Sequence, residues 1–587
     1  MKTLIFLFFS SYFSLMLSGC SSQPSSTSSQ TPSSHASERI SKHTPEIAVR
    51  PFTVETFYAL LVAEVAGNRN RFDIALANYI QQAHKTRDSK VTARATHIGQ
   101  YLKAHKATLD TAQLWLELEP HNNEARLIVA TELSYSGRLQ EAFDQSVILL
   151  NNGSTTLFQN IAARAANATD IQREQLLQAY LELQPQHPQY PQLLVSIGLL
   201  QQQQQQYNDA LSSAQSALKN QPDFIPAAIL EAKLLNQLNR PVDALKRLDS
   251  MLEQYPDNKR LRLQYARLLS AYDLELAYEQ FSILVQQSPE DANLRLSLAL
   301  ICTERGYITE AKQHFNHLIL QNQRRSTAHF YLGRIAVGEH LDDDALDHYL
   351  RVEPGNDYLP AQLQISNILV GRNNYRQARI QLQQARQDAP EMSERLYLIE
   401  AEVLKQYRQF HRAEKALSQG LKQHPLNSKL LYSRAMLYQS NQRFKKAEID
   451  LRTLIKYDPE NAAALNALGY TLADNTDRLE EALDLIQQAL NITPNDPAII
   501  DSMGWIQYRL GHYEAAVLRL RQAMTSYPDP EIAAHLGEVL WVMGETEEAH
   551  KIWQQGLTLD PDNKIISETM KRLTKPEQPG THTGSNP

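Results

Sequence analysis

The stretch LGEVLWVMGETEEAHKIWQQGLTLDP, residues 536–561, decides the fold. It carries two apolar periodicities of helix length, split by the polar turn Gly544-Glu545-Thr546. Gly537 on the first segment and Ala549 on the second are small enough to let two helices approach closely. Leu536, Leu540, Trp553 and Leu557 fill the space around them, each contributing about 1.5–3 kcal/mol when buried. Pro561 ends the second segment, because proline lacks an N–H and clashes with the preceding turn.

The same pattern returns upstream. Alanine recurs at Ala210, Ala244, Ala277, Ala311, Ala345, Ala378, Ala413, Ala447, Ala482, Ala516 and Ala549, at intervals of 33 to 35 residues. A second series of small residues keeps the same phase, through Gly198, Ala232, Ala266, Ala299, Gly333, Ser366, Ala401, Ala435, Gly469, Gly504 and Gly537. Prolines at 222, 256, 289, 390, 425, 459, 494, 528 and 561 form a third. Weaker units follow around Ala63/Ala75, Thr96/Thr108 and Ala130/Ala142, and residues 151–190 hold one poorly matching unit. Pro354 falls early, so the turn after Tyr349 is expected to depart from the pattern.

In these positions the chain resembles the tetratricopeptide repeat family. The resemblance implies an all-α fold, an α-α superhelical solenoid of about fifteen helix pairs over residues 51–573. One pair cannot bury its apolar face alone, and stacking neighbours does so. Ile566, Met570 and Leu573 lie at i, i+4 and i+7, predicting a capping helix with one apolar face. The repeats fill the body and leave no stretch long enough for a separate catalytic domain.

The N-terminus reads as an address. The apolar run Leu4 to Leu17 is too short to span a bilayer and reads as a secretory signal. It ends in Leu17-Ser18-Gly19-Cys20, which resembles the bacterial lipoprotein box and implies cleavage after residue 19 and acylation of Cys20. Several acyl chains make a stable anchor. Ser21, where Asp retains lipoproteins in the inner membrane, points to the outer membrane of a Gram-negative bacterium, facing the periplasm. Residues 20–50, rich in Ser, Thr and Pro, are expected to form a disordered tether, and residues 574–587 a disordered tail.

Composition narrows the function. The 587 residues carry 58 Lys and Arg against 65 Asp and Glu, a net charge of -7, which is not the basic footprint of a nucleic-acid binder. Two cysteines cannot build a disulfide framework. No Gly-x-Ser-x-Gly elbow, HExxH or phosphate loop occurs, so no enzyme, cofactor or small-molecule substrate is expected. His314 and His317 stand at i, i+3 with no further ligand apparent beside them, so no metal site is expected. Asp342, Asp343 and Asp344 read as a helix N-terminus, Cys302 as a buried inert thiol, and Gln201 to Gln206 as polar filler at a helix end.

Large aromatics are more telling. In tetratricopeptide solenoids the first helices line a concave groove, at positions three before, one after and four after the small residue. Here that register gives Tyr432, Tyr470, Trp505, Tyr508 and Trp541, a candidate protein-binding ladder over the last four units. Earlier units place Lys233, Arg267, Leu300 and Arg334 there. The stretches Asn466 to Asp474 and Asp501 to Tyr508 look like the large outer-membrane lipoproteins that partner a periplasmic carboxyl-terminal processing protease. That resemblance implies an adaptor that assembles the protease with its substrates, cell-wall hydrolases among them. The alternative is an assembly lipoprotein of a pilus, secretin or polysaccharide-export machine. In both, the partners are proteins and the membrane is met through the lipid alone.

Overall fold

A computed structural model describes residues 52–574. The signal segment, Cys20, the tether and residues 575–587 lie outside the described residues. Every regular element among the described residues is helical, and none of these helices is long and apolar enough to cross a membrane. The described residues fall into two compact units, split between Leu157 and Phe158.

The first unit holds three helix pairs: α1 (Val54–Asn68) with α2 (Phe72–Thr86), α3 (Ser89–Tyr101) with α4 (His105–Leu118), and α5 (Asn123–Tyr135) with α6 (Leu139–Asn151). The weak units read from sequence are these pairs. Ala63, Ala75, Ala130 and Ala142 are buried between helices. The threonines of the middle pair are buried too, and Thr96 donates its hydroxyl to that of Thr111 at 3.0 Å.

The second unit holds twelve pairs and one closing helix. It begins with α7 (Phe158–Arg164) and α8 (Asp170–Leu183), joined by a 3₁₀ turn, which form the poorly matching unit. Then come α9 (Pro191–Gln203), α10 (Tyr207–Asn220), α11 (Ile225–Gln237), α12 (Pro241–Gln254), α13 (Lys259–Tyr272), α14 (Leu274–Gln287), α15 (Ala292–Arg305) and α16 (Ile308–Leu320). These are followed by α17 (Arg325–Gly338), α18 (Asp342–Tyr349), α19 (Tyr358–Gly371), α20 (Tyr375–Asp388), α21 (Ser393–Gln406), α22 (Phe410–Gln423), α23 (Ser428–Ser440) and α24 (Phe444–Tyr457). The C-terminal part is α25 (Ala462–Asn475), α26 (Leu479–Ile492), α27 (Pro497–Arg509), α28 (Tyr513–Ser526), α29 (Pro530–Val542), α30 (Thr546–Leu559) and α31 (Lys564–Thr574). Helix α18 is short and Pro354 lies in the long connection after it, as its early position predicts.

The three residue series each have a structural reason. Of the eleven repeat alanines, ten are 0% exposed and Ala378 is 4% exposed, so none could carry a larger side chain without displacing a neighbour. The glycines face them. A Cβ on Gly504 would sit 2.6 Å from Leu520 Cγ and 3.2 Å from the Ala516 carbonyl oxygen; on Gly469 it would sit 2.6 Å from Ile486 Cγ1 and 3.0 Å from the Ala482 carbonyl oxygen. Each proline of the third series lies two residues beyond the end of a second helix. An Asn or Asp often follows two residues later and caps the next first helix: Asn461 Oδ1 accepts from the Ala464 N–H at 3.0 Å, and Asn258 and Asn427 act alike.

The turn inside most pairs uses a left-handed residue, which explains how so few glycines suffice. Gly137, Gly306, Gly511 and Gly544 fill it in four pairs, while Gln205, Asn239, His340, Asn373, Arg408 and Gln442 adopt the same positive φ in others. In the second unit each second helix packs on the next first helix, as α26 does on α27 and α28 on α29. First helices also touch one another directly, α25 with α27, α27 with α29, and α29 with α31. The predicted capping helix is α31: Ile566 is fully buried, and Met570 and Leu573 pack on the last pair.

Candidate protein-binding site

The first helices α25, α27 and α29 carry Gly469, Gly504 and Gly537 in one register. Their close approach to α26, α28 and α30 brings the residues just after each glycine toward the neighbouring first helix. Tyr470, Trp505 and Tyr508 converge there with three residues the sequence reading did not single out: Asp501, His535 and Glu538.

His535 is the centre. Its Nδ1 lies 3.0 Å from both Asp501 carboxylate oxygens, and its Nε2 lies 3.3 Å from Tyr470 Oη. The Tyr470 hydroxyl in turn donates to Glu531 Oε1 at 3.3 Å. The Trp505 ring covers the imidazole, with centroids 4.3 Å apart and planes 27° apart. Burial alone would discharge this histidine. The Asp501 carboxylate outweighs that, helped by Glu531 and Glu538, and the pKa of His535 is raised above its ordinary value. In the charged form both ring N–H groups have acceptors, Asp501 on one side and the Tyr470 oxygen on the other. Both N–H groups are thus engaged inside the protein, and the network joins three repeats.

A second network lies beside it. The Tyr508 hydroxyl donates to Glu538 Oε1 at 3.1 Å, and Arg572 on α31 donates to the other Glu538 oxygen. Burial, with the Glu538 carboxylate adding, pushes the Tyr508 phenol up to about 12. Burial likewise raises Tyr470 far above the ordinary tyrosine range, with Glu531, Asp474 and Asp501 adding to it. Both phenols therefore stay protonated and act as donors at neutral pH.

The five predicted aromatics do not behave alike. Trp505 is 7% exposed, and its indole N–H meets no acceptor among the described residues. Tyr470, Tyr508, Trp541 and Tyr432 are half-buried. Trp541 turns to the second helix of its own pair, 5.4 Å from the His550 ring and 5.8 Å from Trp553. Tyr432 packs against the aliphatic core, and burial raises its phenol pKa. Tyr470, Trp505 and Tyr508 thus belong to one constellation, with Tyr432 and Trp541 on either side. Asp501 and Glu538 occupy the same register as the aromatics and were missed because rings alone were sought. A usable signal was present: Asp501 and His535 are 34 residues apart, as are Glu538 and Arg572, so complementary residues one repeat apart face each other.

Asp342 and Asp343 open α18 and pair with Arg372, at 3.2 and 2.5 Å. The glutamine run is more than filler. Gln202 donates to Gln237 at 2.6 Å, Gln203 to the Ala162 carbonyl at 2.8 Å, and Gln201 accepts from Ser213 at 2.8 Å. Cys302 is buried, as expected. One expectation is corrected. His314 does have a cysteine and a carboxylate beside it: ligand atoms of Cys302, Glu310 and His314 all lie within 4.8 Å of one another. The turn between α15 and α16 brings them together, since Glu310 and His314 stand one helical turn apart, opposite Cys302.

Within each unit, a stack of helical hairpins with close small-residue contacts defines the class of helical-repeat scaffolds. The tetratricopeptide repeat family matches residues 201–268, 432–497 and 502–564. The chain is 42% identical over 566 residues, 96% of each protein, to TPR repeat-containing protein PA4667 of Pseudomonas aeruginosa. It belongs to the tetratricopeptide repeat family, as a scaffold for protein–protein interaction. Human Anaphase-promoting complex subunit 7 is 25% identical over 24% of this chain and 25% of its own length. The crystal structure of the APC/C hetero-tetramer Cut9–Hcn1 aligns at a TM-score of 0.32 and 12% identity, covering 89% of this chain and 97% of that one.

Proposed function

We propose that this protein is a lipid-anchored scaffold of the outer membrane that holds a carboxyl-terminal processing protease together with its substrates in the periplasm. The observation that carries the reading is the pair of half-buried rings Tyr470 and Tyr508, on the first helices α25 and α27 and in the stretches that resemble protease-adaptor lipoproteins, held in place by the buried Asp501, Trp505 and Glu538. Half-buried aromatic rings on a groove of first helices suit the side chains of an extended protein segment. The Cys20 anchor and the tether behind it supply the other half of the mechanism. Confining two partners on one scaffold raises their effective concentration, to millimolar order for short flexible tethers, without any new contact between them. The scaffold makes and breaks no bond.

The test is capture from envelope extracts with the full-length chain as bait, followed in parallel by the lifetimes of cell-wall hydrolases in a deletion strain. The reading requires a processing protease among the captured proteins and hydrolases that persist longer when the scaffold is absent. Capture of pilus, secretin or export components, with hydrolase lifetimes unchanged, would move the assignment to the assembly class.

A further inference from the structure

We infer that Cys302, Glu310 and His314 form a site for a zinc-class divalent cation that clips α15 to α16. The inference is independent of the aromatic constellation and of the protease reading.

Three observations place the ion. First, the donor set is right: a thiol, an imidazole and a carboxylate with all ligand atoms within 4.8 Å. That mixture of S, N and O suits tetrahedral zinc, with a water in the fourth position. Second, His314 Nε2 is buried and has no hydrogen-bond partner. It lies 3.6 Å from Glu310 Oε1, too far for a hydrogen bond. Two ligand atoms on one tetrahedral zinc, each about 2.1 Å from it, stand about 3.4 Å apart. Third, the carboxylate is already oriented, because the Tyr278 hydroxyl donates to its two oxygens at 3.0 and 3.1 Å. Such outer-shell support is what holds metal-ligating carboxylates in place.

The charges balance as well. A bound divalent ion takes the thiolate and the carboxylate, two negative charges, and one proton leaves the cysteine for solvent. The buried centre is then neutral. Arg295 must yield slightly. Its Nη1 stands 3.5 Å from His314 Nδ1, while its Nη2 already donates to the Pro289 carbonyl at 2.8 Å and can hold the side chain there.

The experiment uses the full chain, stripped with a chelator and titrated with cobalt(II), then zinc. The expected result is one equivalent of cobalt with tetrahedral d–d bands and a thiolate charge-transfer band, displaced by one equivalent of zinc. Cys302→Ser should abolish the charge-transfer band, and Cys20→Ser should leave it intact. His314→Gln and Glu310→Gln should each weaken cobalt binding at least tenfold. These two positions reach the surface, so they keep the test decisive if Cys302→Ser does not fold. A titration without a thiolate band, or a band that survives Cys302→Ser, overturns the inference.

Discussion

Replacing Gly537 by alanine sets two physical effects against each other, with opposite signs. Inside a helix alanine is better than glycine by about 1 kcal/mol. At Gly537, however, a Cβ would fall inside the indole of Trp553, 2.5 Å from Cδ1 and 2.6 Å from Cε2, where carbon atoms pack at about 3.5–4.0 Å. Trp553 is fully buried and tied to the Ala534 carbonyl, so the ring cannot swing away. Overpacking of this kind costs about 1–3 kcal/mol. With so deep an overlap the upper part of that range applies, and the net loss is about 1–2 kcal/mol. Gly338 is the control: a Cβ there meets nothing within 4 Å, so Gly338→Ala should be neutral or stabilising. A long repeat array does not unfold as one unit, so the assay is amide hydrogen exchange read on peptides from α29 and α30. Exchange there should quicken about 5- to 30-fold in Gly537→Ala. Unchanged or slower exchange in those peptides would refute the close-approach reasoning.

Three further outcomes follow from the same structure. His535 has a raised pKa in the folded state, so its pairing with Asp501 stabilises the stack fully below the ordinary histidine value, about 6.5, and this contribution is lost as pH rises through the folded value; local stability of α27 and α29, from exchange corrected for intrinsic rates, should fall as pH rises above about 6.5, and Asp501→Asn should flatten the dependence. Trp505→Ala should open a cavity costing about 3–5 kcal/mol, visible as local melting of α27, whereas the half-buried Trp541 should lose less on the same change. Gln442→Gly should stabilise the turn between α23 and α24 by up to about 1 kcal/mol, since Gln442 sits at φ 55°, and thermal scans should show no loss.

Most of the helical architecture was legible in the sequence because its cause is local and periodic. A small residue and an alanine every 33 to 35 residues, with a phased proline after nine of the pairs, fix where pairs approach and end, and those positions prove to be buried contacts and helix stops. The weak pairs of the first unit were legible by phase alone, although threonines replace alanines there. The site was only half legible. Its rings lie in the groove register, but whether a ring faces outward or bridges to the next helix depends on what stands one repeat away. Trp505 is covered because His535 stacks on it; Trp541 stays half-buried, with one part of its ring against His550 and Trp553 on α30. The Cys302–Glu310–His314 cluster was missed for a similar reason. The two histidines were paired along one helix, while the true neighbours lie across the turn of the hairpin.

Partner proteins are proposed to bind along the first helices of the C-terminal pairs. The most direct measurement places a photo-crosslinking amino acid at Tyr508, at Trp541 and, as a control, at Leu518, a 69% exposed residue on the second helix α28. Irradiation of cells carrying each full-length variant should yield crosslinks to a carboxyl-terminal processing protease or a cell-wall hydrolase at Tyr508 and Trp541, and none at Leu518. Equal crosslinking at all three positions, or crosslinks confined to Leu518, would contradict it.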